Sequence, residues 1–125
     1  MKPIQGALLA ILILVLGLTA LSCKKKSNPV APGGGADVTI DIVADMDAGA
    51  FGGKRTIAVG KTVAWRNTRG TTHTATSTGG PGGGQWNTQN IGPGTTSSPI
   101  LMNTTGTYPY ECLIHTSMKD TLVVQ

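Results

Sequence analysis

Charged and aromatic side chains are scarce in this sequence. Asp, Glu, Lys and Arg make up 13% of its 125 residues, and Phe, Trp and Tyr 4%, which leaves no base-stacking aromatic cluster. The formal charge of +4 is not a basic surface either. Lys2, Lys24, Lys25 and Lys26 lie near the N-terminus, and from Ala36 onward six Lys or Arg balance six Asp or Glu. Nucleic-acid binding is therefore not expected. No stretch carries helical periodicity. The run from Ser77 to Gly84 is rich in Gly, but no Lys-Ser or Lys-Thr pair follows and no helix opens, so it reads as a mobile surface loop and not a phosphate cradle. Asp45-Met46-Asp47 lacks the twelve-residue calcium pattern with its closing Glu, and reads as a solvated loop. Histidine and cysteine number two each.

Glycine is abundant, with 18 residues. With low charge and many threonines it points to a β-rich chain with frequent turns, and the length allows one domain. Lys2 and the uncharged, mostly apolar run Pro3 to Ser22 read as an export signal over residues 1–22. The run is also long enough to span a bilayer. An uncut anchor, however, would put Lys24 to Lys26 on the translocated side, against the positive-inside tendency. The end of the run, Thr19-Ala20-Leu21-Ser22-Cys23, resembles a bacterial lipoprotein signal, which implies cleavage before Cys23 and a lipid on it. Residues 23–35 hold nothing to bury and read as a flexible tether. The folded domain is expected over residues 36–125.

Within it, Val38, Ile40 and Ile42 alternate with polar residues, as do Val63 and Trp65, and each set predicts a half-buried strand with Asn67 starting the next turn. Thr56–Val59, Thr95–Leu101, the segment opened by Gly106, and Thr121–Val124 supply further extended pieces. Pro109 is awkward in a strand, and its nitrogen is expected to face an irregularity or solvent. Trp65 is expected in the core, and Met46 and Met102 as fillers of core gaps. Many short strands with turn signals about every ten residues suggest an all-β sandwich or barrel.

Chemistry concentrates near the C-terminus, where Cys112, His115 and Met118 are spaced Cys-x2-His-x2-Met on a loop leaving a strand. Thiolate and thioether select soft or borderline metals. Two imidazoles, a thiolate and a weak axial Met form the pattern of an electron-transfer copper site. If copper takes a second imidazole, the remaining histidine, His73, must supply it. Standing alone in its Thr-rich segment, His73 would read as an ordinary hydrogen-bonded residue. Structural zinc favours four-coordinate Cys and His sets without a thioether, so zinc fits less well. Two cysteines in an exported chain commonly pair. Here Cys23 borders the apolar run while Cys112 sits between a strand and a ligand loop, and a disulfide would consume the thiolate.

The run Gly-Thr-Tyr-x-Tyr-x-Cys-x2-His-x2-Met from Gly106 to Met118, with Val63-Ala-Trp-Arg-Asn67 before His73 and Ile91-x-Pro-Gly94, resembles the cupredoxins, the small blue copper proteins of the plastocyanin/amicyanin-like kind. The resemblance implies a Greek-key β-sandwich of about seven or eight strands with one copper ion at one end. It implies that His73, Cys112 and His115 are the in-plane ligands and Met118 the axial one, and that no reaction is catalysed. The expected role is electron transfer in a bacterial cell envelope, at the periplasmic or extracellular face. Redox partner proteins would dock at the His115 edge beside Leu113, the membrane would be reached through a lipid on Cys23, and the protein would be a monomer. The alternative is storage or delivery of copper by the same fold. Relatives carry an Asn after the first histidine whose amide ties the ligand loops together. Thr74 stands there in this chain, so the amide tie is expected to be missing. The free N–H of Ile114, where relatives have Pro, is expected to donate a second hydrogen bond to the Cys112 sulfur.

Overall fold

Alternation of apolar and polar side chains builds seven strands in this computed structural model, which describes residues 35–83 and 85–125. The strands are β1 (Val38–Ile42), β2 (Arg55–Ile57), β3 (Lys61–Asn67), β4 (Thr76–Ser77), β5 (Ile100–Met102), β6 (Gly106–Glu111) and β7 (Lys119–Val124), with one 3-10 turn at Pro81–Gly83. No described helix is long and apolar enough to cross a membrane. The export signal, Cys23 and nearly all of the tether lie outside the described residues.

Two sheets form, one in the order β1-β3-β5 and the other β2-β7-β6-β4. The chain changes sheet at every connection as far as β6, and then β6 and β7 pair as antiparallel neighbours from Gly106↔Val124 to Glu111↔Lys119. β1 runs parallel to β3, with Ile40 opposite Trp65, and β2 runs parallel to β7. Inward residues of both sheets meet in one core: Ile40, Ile42, Val63 and Trp65 from the first, Ile57, Tyr108, Tyr110, Leu122 and Val124 from the second. Burial of each large apolar side chain contributes about 1.5–3 kcal/mol. The architecture is the β-sandwich that the sequence implied.

Local differences from the sequence reading have physical reasons. Asn67 ends β3 and starts the loop that follows, its side-chain oxygen accepting the Arg69 N–H; it is also fully buried, because its amide nitrogen finds the carbonyls of Thr71 and Ile91. Phe51 comes from a Gly-rich stretch with no periodicity, yet it is fully buried, its ring 4.8 Å from that of Tyr110. Met102 fills the core as expected, but Met46 is 66% exposed. Pro109 sits inside β6 with its carbonyl accepting the Thr78 N–H at 2.8 Å. Its nitrogen faces the same side and has no N–H to return a bond to Thr78, so the β4 ladder stops there. The Gly-rich loop is laid against β6, and its glycines allow a close approach. Gly80 has φ +153°, and a Cβ there would collide with the Tyr108 ring; Gly106, at φ +144°, would likewise strike Pro81.

Candidate metal centre

His73 lies in the loop between β3 and β4 and is fixed by two backbone bonds with Ile91: its N–H donates to the Ile91 carbonyl at 3.2 Å and its carbonyl accepts the Ile91 N–H at 2.8 Å. Asn67 holds this region from beneath. Its amide nitrogen donates to the carbonyls of Thr71 (2.7 Å) and Ile91 (2.9 Å), and its oxygen accepts the Arg69 N–H at 2.8 Å. Cys112 follows β6. Its N–H donates to the Met118 carbonyl at 3.0 Å, and the Met118 N–H donates to the His115 carbonyl at 2.9 Å, which closes the loop from Cys112 to Met118 on itself. His73, Cys112 and Met118 are fully buried, while His115 is partly exposed.

Folding brings the distant histidine to the C-terminal pair. Cys112 Sγ lies 3.8 Å from Nδ1 of His73 and 3.8 Å from Nδ1 of His115, and the two ring nitrogens are 3.1 Å apart. A triangle with those sides has its equidistant point about 2.1 Å from each corner, close to the distance of about 2.0–2.1 Å at which imidazole binds a first-row divalent ion.

The far side of the His73 ring decides which nitrogen is free. Nε2 faces Asp45 Oδ1 at 3.1 Å and Thr71 Oγ1 at 3.0 Å. Hydrogen bonds from Thr71 and Arg69 hold the Asp45 carboxyl down at about 2, below the usual carboxylate range, so it is ionised at neutral pH. An N–H at Nε2 donates to that carboxylate, and Nδ1 is left with a lone pair aimed at the sulfur and at His115. This carboxylate-histidine arrangement orients a metal ligand and raises its basicity. One thiol and two imidazole nitrogens thus converge on a single point, and these donor types suit copper. His73, Cys112 and His115 therefore fit one metal ion, and with Met118 buried on the Cys112 loop they form a possible single copper site.

Thr74 provides what the missing amide was expected to cost. Its N–H donates to Cys112 Sγ at 3.3 Å, and its hydroxyl accepts the Leu113 N–H at 2.8 Å. The two ligand loops are thus tied by a hydroxyl where the amide tie is absent. Thr74→Val keeps the volume and the backbone bond to sulfur but leaves the Leu113 N–H without its acceptor. It is expected to cost the metal-free protein about 1–3 kcal/mol in denaturant unfolding, with Thr74→Ser close to the parent. Ile114 does not do what its free N–H suggested. Among the described residues the Cys112 sulfur accepts one N–H, that of Thr74, and the Ile114 side chain is 49% exposed on the loop surface. Sequence reasoning missed Asp45, Asn67 and the Thr74 hydroxyl as supports of the site.

The two-sheet sandwich, with a His-Cys-His-Met donor set fitting a type 1 copper site, makes this a cupredoxin fold. No family model matches the chain, and no curated protein matches it. Solved structures of amicyanin do match. A reduced amicyanin mutant is 26% identical, covering 73% of this chain and 83% of its own with a TM-score of 0.61. A second reduced mutant is 22% identical over 74% of this chain and 85% of that one, with a TM-score of 0.62. The Cu(I) form of a third is also 22% identical, with the same coverage and a TM-score of 0.61.

Proposed function

We propose that the protein is a mononuclear blue copper electron carrier of a bacterial cell envelope and catalyses no reaction of its own. The observation that carries this reading is the convergence of His73 Nδ1, His115 Nδ1 and Cys112 Sγ within 3.8 Å of one another. When bound, copper supplies a one-electron Cu(I)/Cu(II) couple. The chain's part is to keep its donors still. Ile91, Asn67 and Asp45 fix His73, Thr74 fixes the Cys112 loop, and that loop is closed by its own backbone bonds. Met118, fully buried on that loop, would supply a thioether donor.

His115 is the ligand that reaches the surface, so its ring edge is the port for electrons. Leu113 (51% exposed) and Ile114 (49%) adjoin it in the same loop. A small apolar rim of this kind suits brief encounters with redox proteins, whose interfaces bury below about 1,200 Å². The Lys61–Asp37, Arg66–Asp41, Arg69–Asp45 and Lys119–Glu111 ion pairs neutralise much of the surface internally. In this reading residues 1–22 direct export, a lipid on Cys23 attaches the chain to the membrane, and the domain acts as a monomer at the periplasmic or extracellular face.

The test is addition of Cu(II) to the metal-free protein, followed by absorption and voltammetry. One equivalent is expected to give an intense visible thiolate-to-copper band and a reversible one-electron couple with fast self-exchange. Slow self-exchange with ready loss of copper to a chelator would replace the carrier by a copper-delivery protein. No visible band would remove the blue copper assignment.

A further inference from the structure

Asp45 and Met46 are consecutive residues of the loop between β1 and β2, and they bond two different ligand-bearing segments. Asp45 Oδ1 accepts from His73 Nε2 at 3.1 Å and from the Thr71 hydroxyl at 2.7 Å. The carbonyl of Met46 accepts the hydroxyl of Ser117, the residue just before Met118. The loop is itself well held. Arg69 donates to Asp45 Oδ2 through Nε (3.1 Å) and Nη2 (3.0 Å). Val43 N–H donates to the Ala50 carbonyl at 2.7 Å, and Ala50 and Phe51 are fully buried.

Two successive residues therefore span the two halves of the site from outside, opposite in role to Thr74, which ties them at the sulfur. The bonds from Cys112 to Met118 and from Met118 to His115 are internal to their loop, so they fix its shape but not its position relative to His73. We propose that the β1–β2 loop is a strap that gives the His73 and Met118 segments one common support, with Asp45 and Ser117 as its positioning residues. Its functional meaning rests on the copper reading above, since a donor set that moves as one body keeps its geometry through a redox change. Its mechanical content does not depend on a metal.

The experiment is hydrogen exchange by NMR on the metal-free full chain, comparing the parent with Asp45→Ala, Asp45→Asn and Ser117→Ala. A strap transmits between its ends. Asp45→Ala is expected to speed exchange of the Met118 and Cys112 amides about threefold or more, the effect of losing roughly one hydrogen bond. Ser117→Ala is expected to do the same at the His73 amide and ring N–H. Asp45→Asn keeps an acceptor oxygen and should restore most of the protection. Changes confined to residues 43–51 and 69–74 in the Asp45 variants, and to 113–118 in Ser117→Ala, would overturn the strap. Should Asp45→Ala not fold, Ser117→Ala, which removes an exposed hydroxyl, decides the question through His73. Copper titration of the same samples separates the two ideas: a parent without the visible band sinks the copper reading and leaves the exchange result standing, whereas a blue parent with purely local changes sinks the strap alone.

Discussion

Cys112→Ser should abolish the intense visible band of the copper-loaded protein and lower its copper affinity by at least about 100-fold, the upper end of what loss of a supporting partner costs a metal site. A serine hydroxyl stays protonated near neutral pH and is a hard oxygen donor, so neither the charge-transfer partner nor the soft ligand survives. The fold has little reason to respond. Serine matches cysteine in shape, and its oxygen can accept the Thr74 N–H that now goes to sulfur at 3.3 Å. Thermal unfolding of the metal-free variant should therefore stay close to the parent while the spectrum disappears. A variant that kept the band would show that the sulfur is not a ligand.

Trp65→Ala should do the reverse, damaging the fold. Trp65 is fully buried, its ring centroid 4.6 Å from Trp86 and 5.5 Å from Tyr110. Its contribution is mainly apolar burial and packing. Truncating such a residue costs about 3–5 kcal/mol. A domain of this size is held by roughly 5–15 kcal/mol in total, so the variant should unfold at a much lower urea concentration and lose cooperativity at physiological temperature. Leu101→Ala, at a position 58% exposed, is the control and should change stability by no more than about 0.5 kcal/mol. A loss for Trp65→Ala as small as the control's would mean that the two sheets do not depend on this contact.

What could be read in the chain beforehand follows from how local each signal is. Cys112, His115 and Met118 stand within seven residues, so their spacing speaks for itself, and the alternation in β1 and β3 gives the inward faces of Ile40, Ile42, Val63 and Trp65. His73 is readable only indirectly, as the one other histidine a copper site could use and through resemblance to a family. The supports were not readable at all. Asp45 is 28 positions from His73 and Met46 is 71 from Ser117, and no periodicity encodes contacts made when loops from different strands meet at one end of a sandwich. Met46 is exposed, although a long apolar side chain is expected inside, because its loop turns it outward. At Thr74 the sequence shows the missing amide, but not that the hydroxyl there lies where it accepts the Leu113 N–H. The Ile114 expectation failed because a free N–H is only an opportunity, and the turn of the loop does not aim it at sulfur.

The antiparallel β6 and β7 strands, with the Cys112–Met118 loop between them, carry three of the four donors in a contiguous stretch of chain. Denaturation scatters His73 away from this trio but cannot scatter the trio itself, so the unfolded ensemble keeps a residual chelator. Ligand binding stabilises a fold only by the difference between its affinities for the two states. Copper should thus raise the midpoint of unfolding by less than its affinity for the native protein implies.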